Sequence, residues 1–280
     1  MKKFEVKDHA PSILPDGEWE LVWADEFDGT ELDMTKWDYR TCMMGKRHAA
    51  WTDKGVQIDG NSNAVFSVIL EDGKPVSSQL QTGYNFMDEP VEKETMEVAE
   101  GVHDHIKWPI GKLKESKFTH SYGYYECRFK FQRKEGWWTA FWLQSPIIGC
   151  SLDPAVSGVE VDIMESFNPG KLIKHNVAKG GYGEDLMVAR TGLGRERPEL
   201  DVEEYHYIGL LWDETGYSFY VDGEFDGKVT EYLTARPEFI MLSTEVSGYR
   251  NADHKPIEKA FEAVGDQFIV DHVRVFERKK

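Results

Sequence analysis

Short runs in which polar and apolar residues alternate, separated by turn dipeptides, constrain this chain more than any other feature. Between residues 122 and 131, Tyr125, Cys127, Phe129 and Phe131 alternate with Glu126, Arg128 and Lys130. Successive side chains of a strand point to opposite faces, so a period of two marks one buried face and one wet face. Comparable runs occur at 20–24, 64–70, 140–143, 159–164, 205–212, 217–221, 239–244 and 268–276. Asp28-Gly29, Asp72-Gly73 and Asp222-Gly223 are turn signals, and Asp72-Gly73 is a hairpin dipeptide. Long helical periodicity is absent, and the charged stretch 89–100 reads as a helical turn or a loop. Many short alternating strands predict an all-β sandwich of jelly-roll type. No linker or repeat interrupts the pattern. Residues 18–280 are therefore expected to form one domain, with 1–17, which carry Pro11, Pro15 and Gly17, as a lead-in strap.

Composition narrows the partners. With 280 residues the chain can bury a full core without staples. Apolar residues make up 40% and the mean hydropathy is −0.53, which predicts a soluble globular protein. No apolar run approaches the roughly 18 residues that span a bilayer. Asp and Glu number 50 against 33 Lys and Arg, a formal net charge of −17. Phosphate backbones require a basic field, so nucleic acid is excluded as a partner. The same charge repels a polyanionic substrate unless Arg and Lys cluster locally. Cys42, Cys127 and Cys150 show no CxxC spacing, so thiolate metal binding is not expected; three free thiols, or one disulfide and one free thiol, both fit. The opening Met1-Lys2-Lys3-Phe4-Glu5-Val6-Lys7-Asp8 has the lysines of a secretion signal without the apolar stretch behind them. It is compatible with a secreted protein whose signal has been removed and with an intracellular one. A monomer is expected.

The chemistry sits in Ser157-Gly158-Val159-Glu160-Val161-Asp162-Ile163-Met164-Glu165-Ser166. On a regular strand Glu160 and Asp162 share one face while Val161 and Ile163 point into the core. Glu165 has the wrong parity, and one extra residue, a β-bulge at Ile163-Met164, restores it to the acid face. Three carboxylates together are costly to bury, so that face should open to solvent or to a ligand. Retaining glycoside hydrolysis needs two carboxyls about 5–5.5 Å apart, inverting hydrolysis about 6.5–9.5 Å. Along a flat strand, at roughly 3.3 Å per residue over about four steps, Glu160 and Glu165 are too far apart for the shorter value, and a concave sheet closes the gap. Asp162 lies between them, and neighbouring carboxylates favour retention of a proton by one of their number, which a general acid requires. The same spacing also suits an ordinary acidic outer strand.

Glu160-Val161-Asp162-Ile163-Met164-Glu165 resembles the Glu-x-Asp-x-x-Glu signature of glycoside hydrolase family 16, the laminarinase, agarase and carrageenase group. The similarity extends to Leu21-Val22-Trp23-Ala24-Asp25-Glu26-Phe27-Asp28-Gly29, to Tyr122-Gly123-Tyr124-Tyr125-Glu126-Cys127-Arg128-Phe129-Lys130 and to Gly136-Trp137-Trp138-Thr139-Ala140-Phe141-Trp142-Leu143. It continues in Phe219-Tyr220-Val221-Asp222-Gly223 and Val270-Asp271-His272-Val273-Arg274-Val275-Phe276. The resemblance implies a concanavalin A-like jelly roll of two curved antiparallel sheets with a cleft on the concave face. It implies Glu160 as nucleophile, Asp162 as its assisting partner and Glu165 as acid/base of a retaining endo-β-glycosidase.

Further site residues follow from strand parity and from that resemblance. Trp138 and Trp142 share a face and are expected to be sugar platforms, since pyranose rings present C–H faces to aromatics. Trp51, His175 and Glu245 are the other substrate-binding candidates. The resemblance also implies that catalysis needs no cofactor, but that a structural calcium can bind on the convex side, held by the backbone carbonyls of Glu26 and Gly60 and by Asp271. Two departures bear on substrate. Pro154-Ala155-Val156-Ser157-Gly158-Val159 stands where laminarinases carry Trp-Pro-x-x-Gly, and the glucanase cleft segment Asn-x-Glu-x-Gln is replaced by Cys42-Met43-Met44-Gly45-Lys46-Arg47-His48-Ala49-Ala50-Trp51. β-1,3-Glucan therefore loses support, and a galactan such as agarose, porphyran or a host glycan gains it. Lys46, Arg47 and His48 are either a basic patch for a sulfate or acidic sugar, or a solvated loop. Competing activities are a transglycosylase using the same covalent intermediate, and a non-catalytic carbohydrate-binding module, which has no need of the acid triplet.

Overall fold

The computed structural model of the chain describes residues 1–88, 113–169, 171–181, 189–197 and 199–279. The charged stretch 89–100 lies outside the described residues. Two antiparallel sheets dominate. The first has seven strands in the order Ala189–Glu196, Leu172–Lys179, Glu160–Asn168, Trp137–Gln144, Phe239–Val246, Gln79–Gln81 and Asp38–Tyr39. The second has eight. Its path runs Glu224–Val229, Gly216–Val221, His206–Asp213, Gly123–Lys130, Gln267–Arg278, Ala64–Ser67 and Val56–Ile58, and Trp19–Asp25 also pairs with Gln267–Arg278. Only two short helices occur among the described residues, Pro154–Ser157 and Glu258–Glu262. This is the jelly-roll sandwich that the alternation predicts. No helix among the described residues is long and apolar enough to cross a membrane.

The period-two pattern explains the layering. Tyr125, Cys127 and Phe129 turn inward and meet Phe141, Val161, Ile163 and Leu242 of the other sheet in one core. Each such large apolar side chain, fully buried, is worth about 1.5–3 kcal/mol. Tyr124, of opposite parity, lies on the outer face with Leu14, Trp19 and Phe276. The lead-in strap covers that outer face. Lys2–Phe4 pairs with Ser12–Leu14, the Phe4 ring meets Phe276 at 5.1 Å, and the Ile13 amide donates to Glu126 at 2.8 Å.

Two of the three turn dipeptides close hairpins, whereas Asp28-Gly29 leads from Trp19–Asp25 into a stretch without strands. Asp72-Gly73 (φ 50° and 74°) joins Ile69–Glu71 to Lys74–Val76, and Asp222-Gly223 (φ 50° and 80°) joins Gly216–Val221 to Glu224–Val229. The run 64–70 is two strands, because the Val68 amide leaves the ladder to donate to the Asp266 carbonyl. All three cysteines are free; Cys127 and Cys150 are buried and Cys42 half-buried.

Candidate active site

The acid strand is entered through a fixed corner. Helix Pro154–Ser157, capped by the Asp153 carboxylate accepting from the Ala155 amide, stops at Gly158. Gly158 sits at φ 76° with the Ser145 Cβ 2.3 Å from where its own Cβ would be, so only glycine fits. The next strand, Glu160–Asn168, runs between Trp137–Gln144 and Leu172–Lys179. Opposite Trp137–Gln144 the register is Glu160↔Gln144 and Asp162↔Trp142, then Met164↔Phe141 and Glu165↔Ala140. Ile163 is the extra residue. Ile163 and Met164 are both fully buried in the core, and Glu165 is returned to the face of Glu160 and Asp162. A bulge therefore aligns three acids that strict alternation would split.

The three carboxylates line one groove of about 300 Å³ with Trp138, Trp142 and Arg250. Amides hold the two glutamates: Gln144 Nε2 donates to Glu160 Oε2 at 3.0 Å, and Asn176 Nδ2 donates to Glu165 Oε2 at 2.8 Å. These amide contacts fix the aim of the two carboxyls. Behind Glu160 lies Glu238, fully buried, accepting from the Val159 amide at 3.0 Å. Burial, reinforced by the charge of Glu160, pushes the Glu238 carboxyl well above the usual carboxylate range, so it stays neutral behind the acid cluster.

Trp138 and Trp142 both reach the groove. Trp138 is half-buried, stacks on Phe167 at 5.4 Å and has the Arg250 guanidinium 5.4 Å from its ring centroid. Trp142 is 7% exposed and is fixed by its indole N–H donating to Ser243 Oγ at 2.7 Å. Trp137 turns away, buried, with its indole N–H on Asp266. Glu245 lines the groove, but its carboxylate is engaged: Oε1 and Oε2 accept from Arg250 at 2.6 and 2.7 Å, and Oε2 also accepts from Trp51 at 3.1 Å. It orients Arg250 rather than presenting an open carboxylate to a sugar.

Two substrate-binding expectations are corrected. Trp51 is 2% exposed and belongs to the core, stacked on His48 with its N–H spent on Glu245. Its loop bridges to Ser77 and drives the ring inward. His175 is completely buried and faces the core, stacked on Phe219 at 4.5 Å. The parity is off by one: its neighbour Asn176 reaches Glu165, while His175 Nδ1 donates to the carbonyl of Ile163, the bulged residue, at 2.6 Å. His175 Nε2 meets Asp226 Oδ2 at 3.0 Å, and Asp226 is further paired with Arg195 and Arg197. Burial alone would push the Asp226 carboxyl up; hydrogen bonds from His175 and the nearby charges outweigh it and hold it below the usual range.

The one side-chain ligand expected at a calcium, Asp271, is already engaged. Asp271 Oδ2 accepts from Arg128 at 2.9 Å and from His272 at 3.0 Å. Gly60 lies in a turn beside Thr30 and Gly29. A guanidinium already meets the carboxylate that would have to ligate the ion, whereas calcium requires a cage of oxygens. Groups of three or more His, Cys, Asp or Glu able to hold a metal are absent among the described residues.

Arg250, Gln144, Asn176 and Arg40 are the groove or supporting residues that sequence reasoning missed. Arg40 and Arg250 come from loops and carry no periodic signal. Gln144 and Asn176 had one: each is the partner, across the ladder, of a residue on the acid face.

Paired carboxyls on a bulged strand beside two tryptophans, on one face of a jelly roll, are the arrangement that glycoside hydrolysis uses. The family model described as Glycosyl hydrolases family 16 matches residues 50–257, and the chain belongs to that family. The glucan endo-1,3-beta-glucosidase A1 of Niallia circulans is 25% identical over 278 residues, covering 92% of this chain and 38% of that protein. The keratan-sulfate endo-1,4-beta-galactosidase of Sphingobacterium multivorum is 24% identical over 208 residues, covering 73% of this chain and 42% of that protein. The chain thus spans about two fifths of the length of these two curated relatives. The catalytic domain of an endo-1,3-beta-glucanase from Thermotoga petrophila RKU-1 shares the fold, with a TM-score of 0.65, 20% identity, and coverage of 95% of this chain and 100% of that one.

Proposed function

We propose that the chain is an endo-acting, retaining β-glycosidase that cleaves a β-linked polysaccharide by double displacement. The observation that carries this reading is the Ile163 bulge, which puts Glu160, Asp162 and Glu165 on one face of one groove. Glu160, oriented by Gln144, attacks the anomeric carbon and forms a glycosyl-enzyme. Glu165, oriented by Asn176, protonates the departing oxygen and then takes a proton from the incoming water. Asp162, between them on the same face, favours retention of that proton through the first step by its own negative charge. Trp138 and Trp142 carry the sugar rings. The groove is lined by strand residues of the seven-stranded sheet together with Arg40, Met43 and Arg250. Similarity to both a glucanase and a galactosidase leaves two backbones, β-glucan and β-galactan. The loss of the glucanase cleft segment at 42–51 favours the galactan.

The test uses two variants. Glu160→Ala should abolish turnover of every substrate. Glu165→Ala should lose cleavage of the natural glycan by on the order of 10²–10⁴-fold, yet still form the intermediate from an aryl glycoside with a good leaving group. Azide should rescue that variant and give the β-azide. NMR of early wild-type products should show the β-anomer first; an α-anomer first would overturn the mechanism, and rescue confined to Glu160→Ala would exchange the two roles.

A further inference from the structure

The groove does not end at Arg250. A second recess of about 510 Å³ adjoins it, sharing Met43 and Arg250 as common walls. Lys46, Arg47, His48 and His254 line the rest of it together with Tyr249, and none of its lining residues is Asp or Glu. On a chain with net charge −17, a recess whose charged side chains are all cationic stands against the field of the whole molecule.

The recess is built rather than merely exposed. Cys42–Met43 and Lys46–Arg47 form a two-residue hairpin through Met44 (φ 54°) and Gly45 (φ 72°). A methionine in the left-handed region costs on the order of 1–2 kcal/mol and persists only where its surroundings hold it there. Here the Met44 amide donates to Asp88 Oδ1 at 3.3 Å, and Asp88 is ion-paired with Arg40 at 2.6 Å, both side chains being buried. The pin sets Lys46 and Arg47 on the rim, where neither makes an ion pair among the described residues. Across the recess the Arg250 guanidinium is clamped by two hydrogen bonds from its own nitrogens to Glu245, which is 1% exposed, while the Arg250 side chain itself remains 51% exposed. A guanidinium fixed by a buried carboxylate loses little further freedom on meeting an anion. Burial holds His48 below its ordinary histidine range, so it is neutral; its Nδ1 accepts from the Ala50 amide at 3.3 Å, which leaves Nε2 as a donor.

We propose that this recess binds an oxyanion substituent, a sulfate ester or a carboxylate, borne by the glycan that lies in the acid groove. The proposal rests on the reading of that groove as a glycosidase site. Two backbone-neutral walls, Met43 and Tyr249, seat the ring, and Lys46, Arg47 and Arg250 meet the charge. An anionic polymer, repelled by the molecule at large, is drawn to this one place and set in register with Glu160 and Glu165. Such charge complementarity acts on partner choice more than on total affinity.

The experiment compares a β-galactan oligosaccharide with its sulfated and its carboxylated counterparts, on the wild type and on Lys46→Glu/Arg47→Glu, at low and at high salt. The ratio of charged to neutral kcat/KM should fall about tenfold in the double variant, equivalent to about 1.4 kcal/mol. The wild-type ratio should fall with added salt, because exposed charges are screened. Lys46→Gln/Arg47→Gln should show a smaller fall, and both variants should melt with the wild type. Whichever charged arm responds names the substituent. A ratio unmoved by the variants, with the neutral glycan still cleaved, overturns the recess and leaves the glycosidase reading standing. If no β-glycan is cleaved at all, the glycosidase reading fails instead. Calorimetric binding of the charged oligosaccharides, lost in the double variant, would then still support the recess, and equal binding by both proteins would overturn it.

Discussion

The two sheets carry charged side chains on the faces they turn away from the core, and they treat them in opposite ways. On the outer face of the eight-stranded sheet the buried charges have opposite partners. His272 lies between Glu126 (3.2 Å) and Asp271 (3.0 Å), and Arg274 is bidentate to Glu26; Glu126, His272 and Arg274 are completely buried. The strap closes over them, with the Ile13 amide on Glu126 and the Ala10 carbonyl accepting from Arg274. On the seven-stranded sheet three acids share one side of one strand, two of them steadied by neutral amides, and the face is open as a groove. Alternating charge along a strand therefore has two readings. Closed in ion pairs beneath the strap, it is structure; gathered with one sign along a groove, it is chemistry.

The largest effect follows from breaking each side of that contrast. Glu160→Gln removes the nucleophile and one of three crowded carboxyls, so activity should fall to background while the melting temperature stays level or rises. Arg274→Ala strands Glu26 and opens a buried network. The expected cost is about 3–5 kcal/mol, or a fall in melting temperature of roughly 10 °C, with kcat of the folded enzyme retained. Calorimetry and initial rates on both variants check this. A destabilised Glu160→Gln or an inactive but stable Arg274→Ala would erase the distinction between the faces.

His175 sharpens the comparison because it belongs to both categories. It is buried and charge-paired like the residues of the outer face, yet its Nδ1 grips the Ile163 carbonyl at the bulge that aims Glu165. His175→Ala leaves that carbonyl without its buried donor, at about 1–3 kcal/mol. Misplacement of the acid by about an ångström should lower kcat on the order of 10²-fold. If His175 acts by positioning, the loss should fall on kcat more than KM, and an aryl glycoside that needs no acid should lose much less than the polymer. Equal losses on both substrates would reduce His175 to a packing residue.

How far this was legible in the sequence depends on locality. The strands and the Asp-Gly turns were readable because period two and left-handed turn residues are properties of neighbours along the chain. The three acids and the need for a bulge were readable for the same reason: Ile163 and Met164 are two apolar residues where alternation allows one. His175 was misread because a β-strand shows its parity only when its register is known, and the register here shifts between Asp162 and Glu165. Trp51 was misread because its loop has no period. Arg250 and the Arg40–Asp88 pin were invisible, since what joins them is contact between segments remote in the chain.

The smallest expected effect is none, and it concerns the outer face. Chelator should leave the melting temperature of the wild type where it is. The argument is one of charge. A calcium ligated by Asp271 would share its carboxylate with Arg128 and His272, both within 3.0 Å. Burial raises the Asp271 carboxyl, but the hydrogen bonds and charges of His272 and Arg128 outweigh it and hold it below the usual range, so the carboxylate is already neutralised by protein. The Arg128 guanidinium is fixed in turn against the Tyr205 ring, 4.1 Å from its centroid. Arg128 thus supplies the positive charge that an ion would bring, and it does so without a binding equilibrium. Arg128→Ala should lower the melting temperature by roughly 3–6 °C, the cost of one charge-assisted hydrogen bond and its partner's exposure. If the wild type instead loses stability in chelator and regains it with added calcium, the outer face is a metal site after all, and its charges are not closed among themselves. If calcium restores stability only to Arg128→Ala, the guanidinium stands where the ion would, and the closure of this face is a property of that one side chain.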